Sequence, residues 1–234
     1  MPKIMMKDEV LQNLVEGQTF ADVGGLWGVV NEKVSVALKG GAAHATMIDI
    51  QQPDDPLWTA FHDRCKALDV SGYDCISTDA TQSALYDTVG SYDVVHCSGV
   101  IYHVPDPITL LLNLRNITKK YLLITSMVFP EIMSTPDGTL TIDGGKLYFI
   151  PAMSALERKI VATHCDSLGL KISHLNGPEV TEWVSPKTGR ANFGPWWWVI
   201  TPRLLVTLAK VCNMEVIDEG YTWNDRAYTI LCRV

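Results

Sequence analysis

Thr19-Phe20-Ala21-Asp22-Val23-Gly24-Gly25-Leu26-Trp27-Gly28 decides the reading of this chain, because an apolar run stops at an acid and then turns through glycines. A second apolar run, His44-Ala45-Thr46-Met47-Ile48-Asp49, ends on another acid twenty-one residues beyond Gly28. Strand, glycine turn, helix and second strand ending in a carboxylate make a βαβ unit. In such a unit bare backbone N–H groups meet a nucleotide-type ligand and the second acid reaches a ribose diol. The spacing excludes a dinucleotide fingerprint, since Gly24, Leu26 and Gly28 do not reproduce G-x-G-x-x-G. Asp22 argues against a diphosphate as well, because a carboxylate at the mouth of the loop suits a cationic amino group.

Strand-like and helix-like segments alternate outward from this unit, which points to a parallel sheet with crossover helices. A helix is expected over residues 8–16, strands over 19–23, 45–50, 73–77, 92–97 and 121–126, and helices over 29–38, 57–68 and 107–116. Asp54-Asp55 ahead of Pro56 starts the third of these helices, and Pro107 suits a first turn, where its missing N–H costs nothing. Thr201-Pro202 opens a further helix to Val211, followed by strand patterns over 214–222 and 227–234. The four residues 223–226 between them are too few for a parallel crossover, so these two strands form an antiparallel hairpin.

Asp22, Gly24, Gly25 and Gly28 resemble the first motif of the class I S-adenosylmethionine-dependent methyltransferases, D-x-G-x-G-x-G, with Leu26 in place of the middle glycine. The resemblance implies an α/β, Rossmann-like, seven-stranded and mostly parallel sheet whose C-terminal strand inserts antiparallel. It implies S-adenosylmethionine as cofactor, its amino group near Asp22 and its ribose on Asp49, with Ile50 adjacent. Asp79 and Ala80, after the third strand, fall where this superfamily approaches the adenine, although Asp79 can equally cap a helix starting near Thr81. Tyr92 to Pro107 is similar to the segment after strand four of many small-molecule methyltransferases, which reads L-x-H-V-x-D-P. That similarity places Cys97, Ser98 and Gly99 beside the methionine and sulfonium, where small residues leave room for the methyl group.

His103 is the candidate general base, an imidazole able to take a proton from a hydroxyl near neutral pH, and it can equally fix the loop by hydrogen bonding. Tyr102, Trp196 and Trp197 are candidate acceptor-binding residues, with core packing as the competing role of the aromatics. Trp27 together with Asn192 to Pro202 resembles a subgroup with D-I-G-A-W-D-G-like motifs, related to tRNA wobble-uridine methyltransferases and to sugar- or lipid-modifying enzymes. The tetrad of amino methylation, the Pro-Cys of cytosine C5 enzymes and a K-D-K-E arrangement are not found in the sequence.

The chain of 234 residues reads as one domain, 1–234, with residues 129–200 inserted as a cap that selects the acceptor. Turns are expected at Pro136-Asp137-Gly138, Asp143-Gly144-Gly145 and Gly177-Pro178, a strand near 146–150 and a helix over 154–168. No apolar run approaches the roughly 18–20 residues of a membrane span, the opening residues lack a signal peptide's apolar core, and the six cysteines are scattered. A cytoplasmic protein with reduced core cysteines is expected. A net charge of −7 without a dense basic cluster argues against nucleic acid as a partner, and a small-molecule acceptor is expected from the resemblance. His164-Cys165-Asp166 and His174, Glu179 and Glu182 match no metal-binding spacing, so no metal is expected. The expected activity is methyl transfer to a small or sugar-like molecule, at oxygen, the alternatives being a tRNA uridine enzyme or a non-catalytic S-adenosylmethionine-binding partner subunit.

Overall fold

A computed structural model describes residues 3–170 and 196–234. The apolar runs become the strands β1 (Thr19–Val23), β2 (His44–Asp49), β3 (Tyr73–Ser77), β4 (Tyr92–Ser98) and β5 (Thr118–Met127), all parallel. Between and around them lie helices α1 (Lys7–Val15), α2 (Val34–Lys39), α3 (Pro56–Ala67), α4 (Leu85–Val89) and α5 (Pro107–Asn116). After α7 (Pro202–Val211) the chain forms β10 (Glu215–Thr222) and β11 (Ala227–Arg233). The strand order is β10-β11-β5-β4-β1-β2-β3, with β11 antiparallel to both neighbours, as the sequence predicts.

Burial on both faces explains why the central strands read as nearly continuous apolar runs. One face packs Val95, Cys97 and Leu122 against Leu110 and Leu114 of α5 and Leu204 and Leu208 of α7. The other packs Phe20, Met47 and Val94 against Leu11 and Val15 of α1, Val34 and Ala37 of α2 and Phe61 of α3. Asp55, Asp106 and Thr201 accept backbone N–H groups at the starts of α3, α5 and α7, each with proline following. Residues 3–5 lie beside β10, where Met5 N–H donates to Tyr221 O at 2.8 Å and Tyr221 N–H to Lys3 O at 2.7 Å. Gly220 permits this approach, since a Cβ there would sit 2.8 Å from Lys3 O.

Between β5 and α7 the chain forms the hairpin β6 (Ile132–Thr135) and β7 (Gly138–Thr141), then β8 (Tyr148–Phe149), α6 (Ala155–Ser167) and β9 (Trp198–Val199). Ser154 and Glu157 cap α6 reciprocally. These elements share a third apolar cluster, including Phe129, Met133, Leu140, Ile150, Ile160 and Val199. Among the described residues no helix is long and apolar enough to cross a membrane.

The helix expected over 29–38 is broken: a 3-10 turn spans Val29–Asn31 and α2 begins only at Val34. Side chains explain the break, because Asp22 accepts Lys33 N–H at 2.7 Å and Glu32 accepts Ser35 N–H at 2.9 Å. The helix expected near Thr81 begins at Leu85, because Asp79 closes a local turn by accepting Thr81 N–H at 2.8 Å and its hydroxyl at 2.7 Å. The Gly177-Pro178 turn, His174, Glu179, Glu182 and residues 192–195 lie outside the described residues.

Candidate functional site

The sheet reverses its direction of winding between β1 and β4, and it is at such a switch point, in the crevice outside the carboxyl ends of the strands, that open α/β sheets hold their ligands. Two left-handed glycines shape the crevice: Gly24 at φ +79° and Gly99 at φ +78°. A Cβ on Gly24 would run into Val100 Cγ2, so the two loops touch only because that position is bare. Gly25 is bare for a second reason, since its Cβ would meet Asp22 Oδ2 at 2.6 Å and Met47 Cε at 2.8 Å. At Gly28 a Cβ would meet open space. The loop therefore keeps exposed backbone at Gly28 and packed backbone at Gly24 and Gly25.

Asp49, at the end of β2, is 3% exposed; its Oδ2 accepts Leu26 N–H at 3.2 Å and its Oδ1 accepts Gln51 N–H at 3.1 Å. Burial pushes this carboxyl up to about 6, against the backbone donors of Gln51, Leu26 and Ile50, which favour the charged form. With the Gln51 amide turned so that its oxygen faces Trp27 Nε1, that bond is 2.9 Å, and the nitrogen donates to Asp55 Oδ2 at 3.1 Å. Trp27, 77% exposed, is thereby tied to the residue that follows Asp49 and Ile50.

Asp22 is placed differently from the sequence reading. Rather than lining the mouth of the loop, its carboxyl lies beneath it, 1% exposed, held by Lys33 N–H at 2.7 Å and by His96 Nδ1 at 2.7 Å. Asp22 and His96 are register partners on β1 and β4, so the pairing follows from the sheet itself. Burial lowers the His96 pKa. A neutral ring that donates from Nδ1 leaves Nε2 a lone pair, and Nε2 is buried without a partner among the described residues.

Two lysines complete the surroundings of Asp22. Lys33 Nζ pairs with Asp8 at 2.9 Å, and Lys7, in the first turn of α1, places Nζ 3.4 Å from Ser98 Oγ. His96, Lys7 and Lys33 were not singled out in the sequence. The available signal was a histidine inside the apolar run of β4, but its partner becomes visible only once β4 is known to lie beside β1. Cys97 faces the opposite side of the sheet, and burial pushes its thiol up, so it stays protonated.

Asp79 and Ala80 stand at the end of β3, beyond Asp49, whose carbonyl accepts Thr78 N–H at 2.8 Å. Asn113 of α5 fixes this loop by donating to Ala80 O and Gln82 O, each at 2.9 Å. On the far side of β4 an aromatic wall follows Gly99. Tyr102 lies 4.2 Å from Trp196 between ring centroids, His103 stands edge-on to Trp196 at 5.6 Å, and Phe129 does so at 5.9 Å. His103 and Trp196 are half-buried, whereas Tyr102 is 7% exposed. Trp197 is corrected from a ligand contact to a core residue: it is 1% exposed and stacks on Phe149 with 9° between the rings. Asp22, Gly24, Gly25, Asp49, Cys97 and Ser98 thus lie at or just beyond the carboxyl ends of β1, β2 and β4, Tyr102, His103 and Trp196 follow β4, and Trp197 is in the core. No cluster of three or more metal-ligating side chains occurs among the described residues.

By sequence, neither a family model nor a curated protein matches the chain. By structure it is similar to an S-adenosylmethionine-dependent methyltransferase from Aquifex aeolicus, at 10% identity and a TM-score of 0.51, covering 98% of this chain and 89% of that one. Magnesium protoporphyrin IX methyltransferase from Synechocystis, solved with bound S-adenosylhomocysteine, gives 14% identity, a TM-score of 0.55 and coverages of 97% and 80%. An O-methyltransferase family protein from Burkholderia thailandensis gives 14% identity and a TM-score of 0.57; the match takes in 97% of this chain and 55% of that one. The chain has the Rossmann-like fold of class I methyltransferases.

Proposed function

We propose that this protein is an S-adenosylmethionine-dependent methyltransferase that methylates a small or sugar-like acceptor at oxygen. The observation that carries the proposal is the pairing of a bare glycine loop with the buried Asp49 carboxyl at the switch point of this sheet. The donor set fits the cofactor: Asp49 is an acceptor for a ribose diol, the loop leaves backbone open at Gly28, and the Asp79 and Ala80 loop borders the same edge for an adenine. Bound S-adenosylmethionine supplies an electrophilic methyl group on a positively charged sulfur.

Methyl transfer requires in-line alignment, exclusion of water and the departure of one proton when the acceptor is a hydroxyl. In this reading Cys97, Ser98 and Gly99 leave the methyl path uncrowded, the Tyr102 and Trp196 rings seat the acceptor, and His103 takes its proton. The protonated Cys97 thiol does not compete as a nucleophile.

Calorimetric titration with S-adenosylmethionine and S-adenosylhomocysteine tests the proposal, with micromolar binding expected. Absence of binding to the folded wild type would refute it. A methyl-transfer assay over hydroxylated metabolites beside bulk tRNA then tests the acceptor class; transfer to tRNA alone would overturn the small-molecule assignment.

A further inference from the structure

Lys7 is the charged side chain at the switch point that the proposed reaction leaves without a task. It is half-buried in the first turn of α1, and its ammonium has a single hydrogen-bond partner among the described residues, Ser98 Oγ, at 3.4 Å. That is long for an N–H···O bond and leaves two N–H groups free. Neither nearby carboxyl answers it directly. Asp8 is paired with Lys33 at 2.9 Å, and Asp22 is held by Lys33 N–H and by His96. The neutral His96 ring carries no negative charge to offset a cation. A cation withdrawn from water without a close counter-charge is costly, and such groups concentrate where a ligand supplies the missing charge.

We propose that Lys7, together with the Ser98 hydroxyl, binds the carboxylate of an α-amino-acid group on the ligand. The assignment rests on the reading above, in which that group is the methionyl end of the methyl donor. It also revises that reading, because Asp22 lies beneath the loop and no longer serves as the polar contact for that end. The site is then polarised, with the Asp49 acid at the diol end and the Lys7 cation at the carboxylate end. Burial, followed by repulsion from Lys33, lowers Lys7 to about 8, while Asp22 and Asp8 raise it. The groups facing Lys7 are Asp8 on α1, Asp22 on β1, Lys33 ahead of α2, and Ser98 and His96 on β4.

Two nucleosides separate the ends of the site: S-adenosylhomocysteine, and 5′-methylthioadenosine, which keeps the adenosine thioether and lacks the amino-acid group. Lys7→Met is expected to weaken the first at least tenfold and leave the second unchanged, while Lys7→Arg retains most of the affinity for both. Between pH 7 and 9 the wild type should lose S-adenosylhomocysteine affinity as Lys7 gives up its proton, more steeply than Lys7→Arg, which stays charged and controls for titration of the ligand's own amine. The comparison of the wild type with Lys7→Arg holds even where Lys7→Met fails to fold. A Lys7→Met variant that loses neither nucleoside, or both equally, overturns the carboxylate assignment alone, as does a wild-type pH profile no steeper than that of Lys7→Arg. A wild type that binds neither nucleoside overturns the reading of the whole site, and the assignment with it.

Discussion

Around Asp22 the chain is held by hydrogen bonds and charges, whereas between β5 and α7 it is held by rings and aliphatic side chains. In the first region Asp22, Glu32, His96 and Asp49 are all nearly inaccessible, and their oxygens and Nδ1 are met by backbone donors, by one another or, at Glu32 Oε1, by the Ser35 hydroxyl and Arg64 Nε. In the second, Trp197, Phe149, Ile150 and Ile160 fill space, and their contacts require shape more than direction. Directional partners hold a loop in one geometry, which suits a site that must meet a fixed ligand. Packed rings tolerate exchange of similar volumes, so the side chains of this region can change without loss of the fold.

Substitutions can break this contrast, beginning with the largest. Trp197→Ala should cost about 3–5 kcal/mol of stability in urea unfolding, because it removes a buried indole that stacks on Phe149 and leaves a cavity; a cost below 1 kcal/mol would remove Trp197 from the core. Asp22→Ala should cost about 2–4 kcal/mol by the same measurement, since Lys33 N–H and His96 Nδ1 both lose a buried acceptor. An effect as small as that of a surface substitution would show that the polar region is not held by these bonds.

Asp49→Ala should weaken S-adenosylhomocysteine binding by roughly 10–100-fold, the scale of losing charged hydrogen bonds of about 1.5–3 kcal/mol. Unchanged affinity in calorimetry would refute the diol assignment. Because the carboxyl is raised to about 6, wild-type affinity should also fall as the pH drops below 6, where the acceptor becomes protonated. Stability runs the other way. The folded protein holds this proton more tightly than the unfolded chain, whose carboxyl has the ordinary value of 3.8, so the penalty is full above about pH 6 and disappears as the pH falls toward 3.8. Comparison of wild type and Asp49→Ala by unfolding at pH 7 and pH 4.5 checks the sign, with the wild type gaining relative to the variant at the lower pH. The smallest effect is expected at the cap of α6, where Ser154→Ala should cost about 1 kcal/mol and leave nucleoside binding unchanged.

The same contrast decides what was legible in the sequence. Strand β1, strand β3 and α5 are found where their apolar patterns and caps place them, because each is specified by residues within itself. The antiparallel pairing of β11 with β10 was readable from the short connection at residues 223–226, which permits no crossover, whereas its place beside β5 was implied only by the family resemblance. Local pattern failed where a side chain from another element intervened. Asp22 and Glu32 break the expected helix ahead of α2, and the register of β1 against β4 turns His96 into the partner of Asp22. Trp196 and Trp197 are adjacent in sequence, yet the first is half-buried against Tyr102 and the second is core and stacks on Phe149, a distinction set by partners from other elements. The hairpin β6–β7 showed only its turn residues, Pro136 and Asp137, since its strands are too short to set an alternating pattern apart.

The pairing of residues 3–5 with β10 bears on how the molecule assembles in time. It joins segments about two hundred residues apart, and contacts of such separation form late, after the loop they close has been ordered by nearer ones. Lys7 follows Met5 by two positions, so the start of α1 gains its final alignment only when the β10–β11 hairpin is in place. In a refolding experiment helical signal should return before nucleoside binding does, and the interval between them would time the closing of the chain's two ends onto each other.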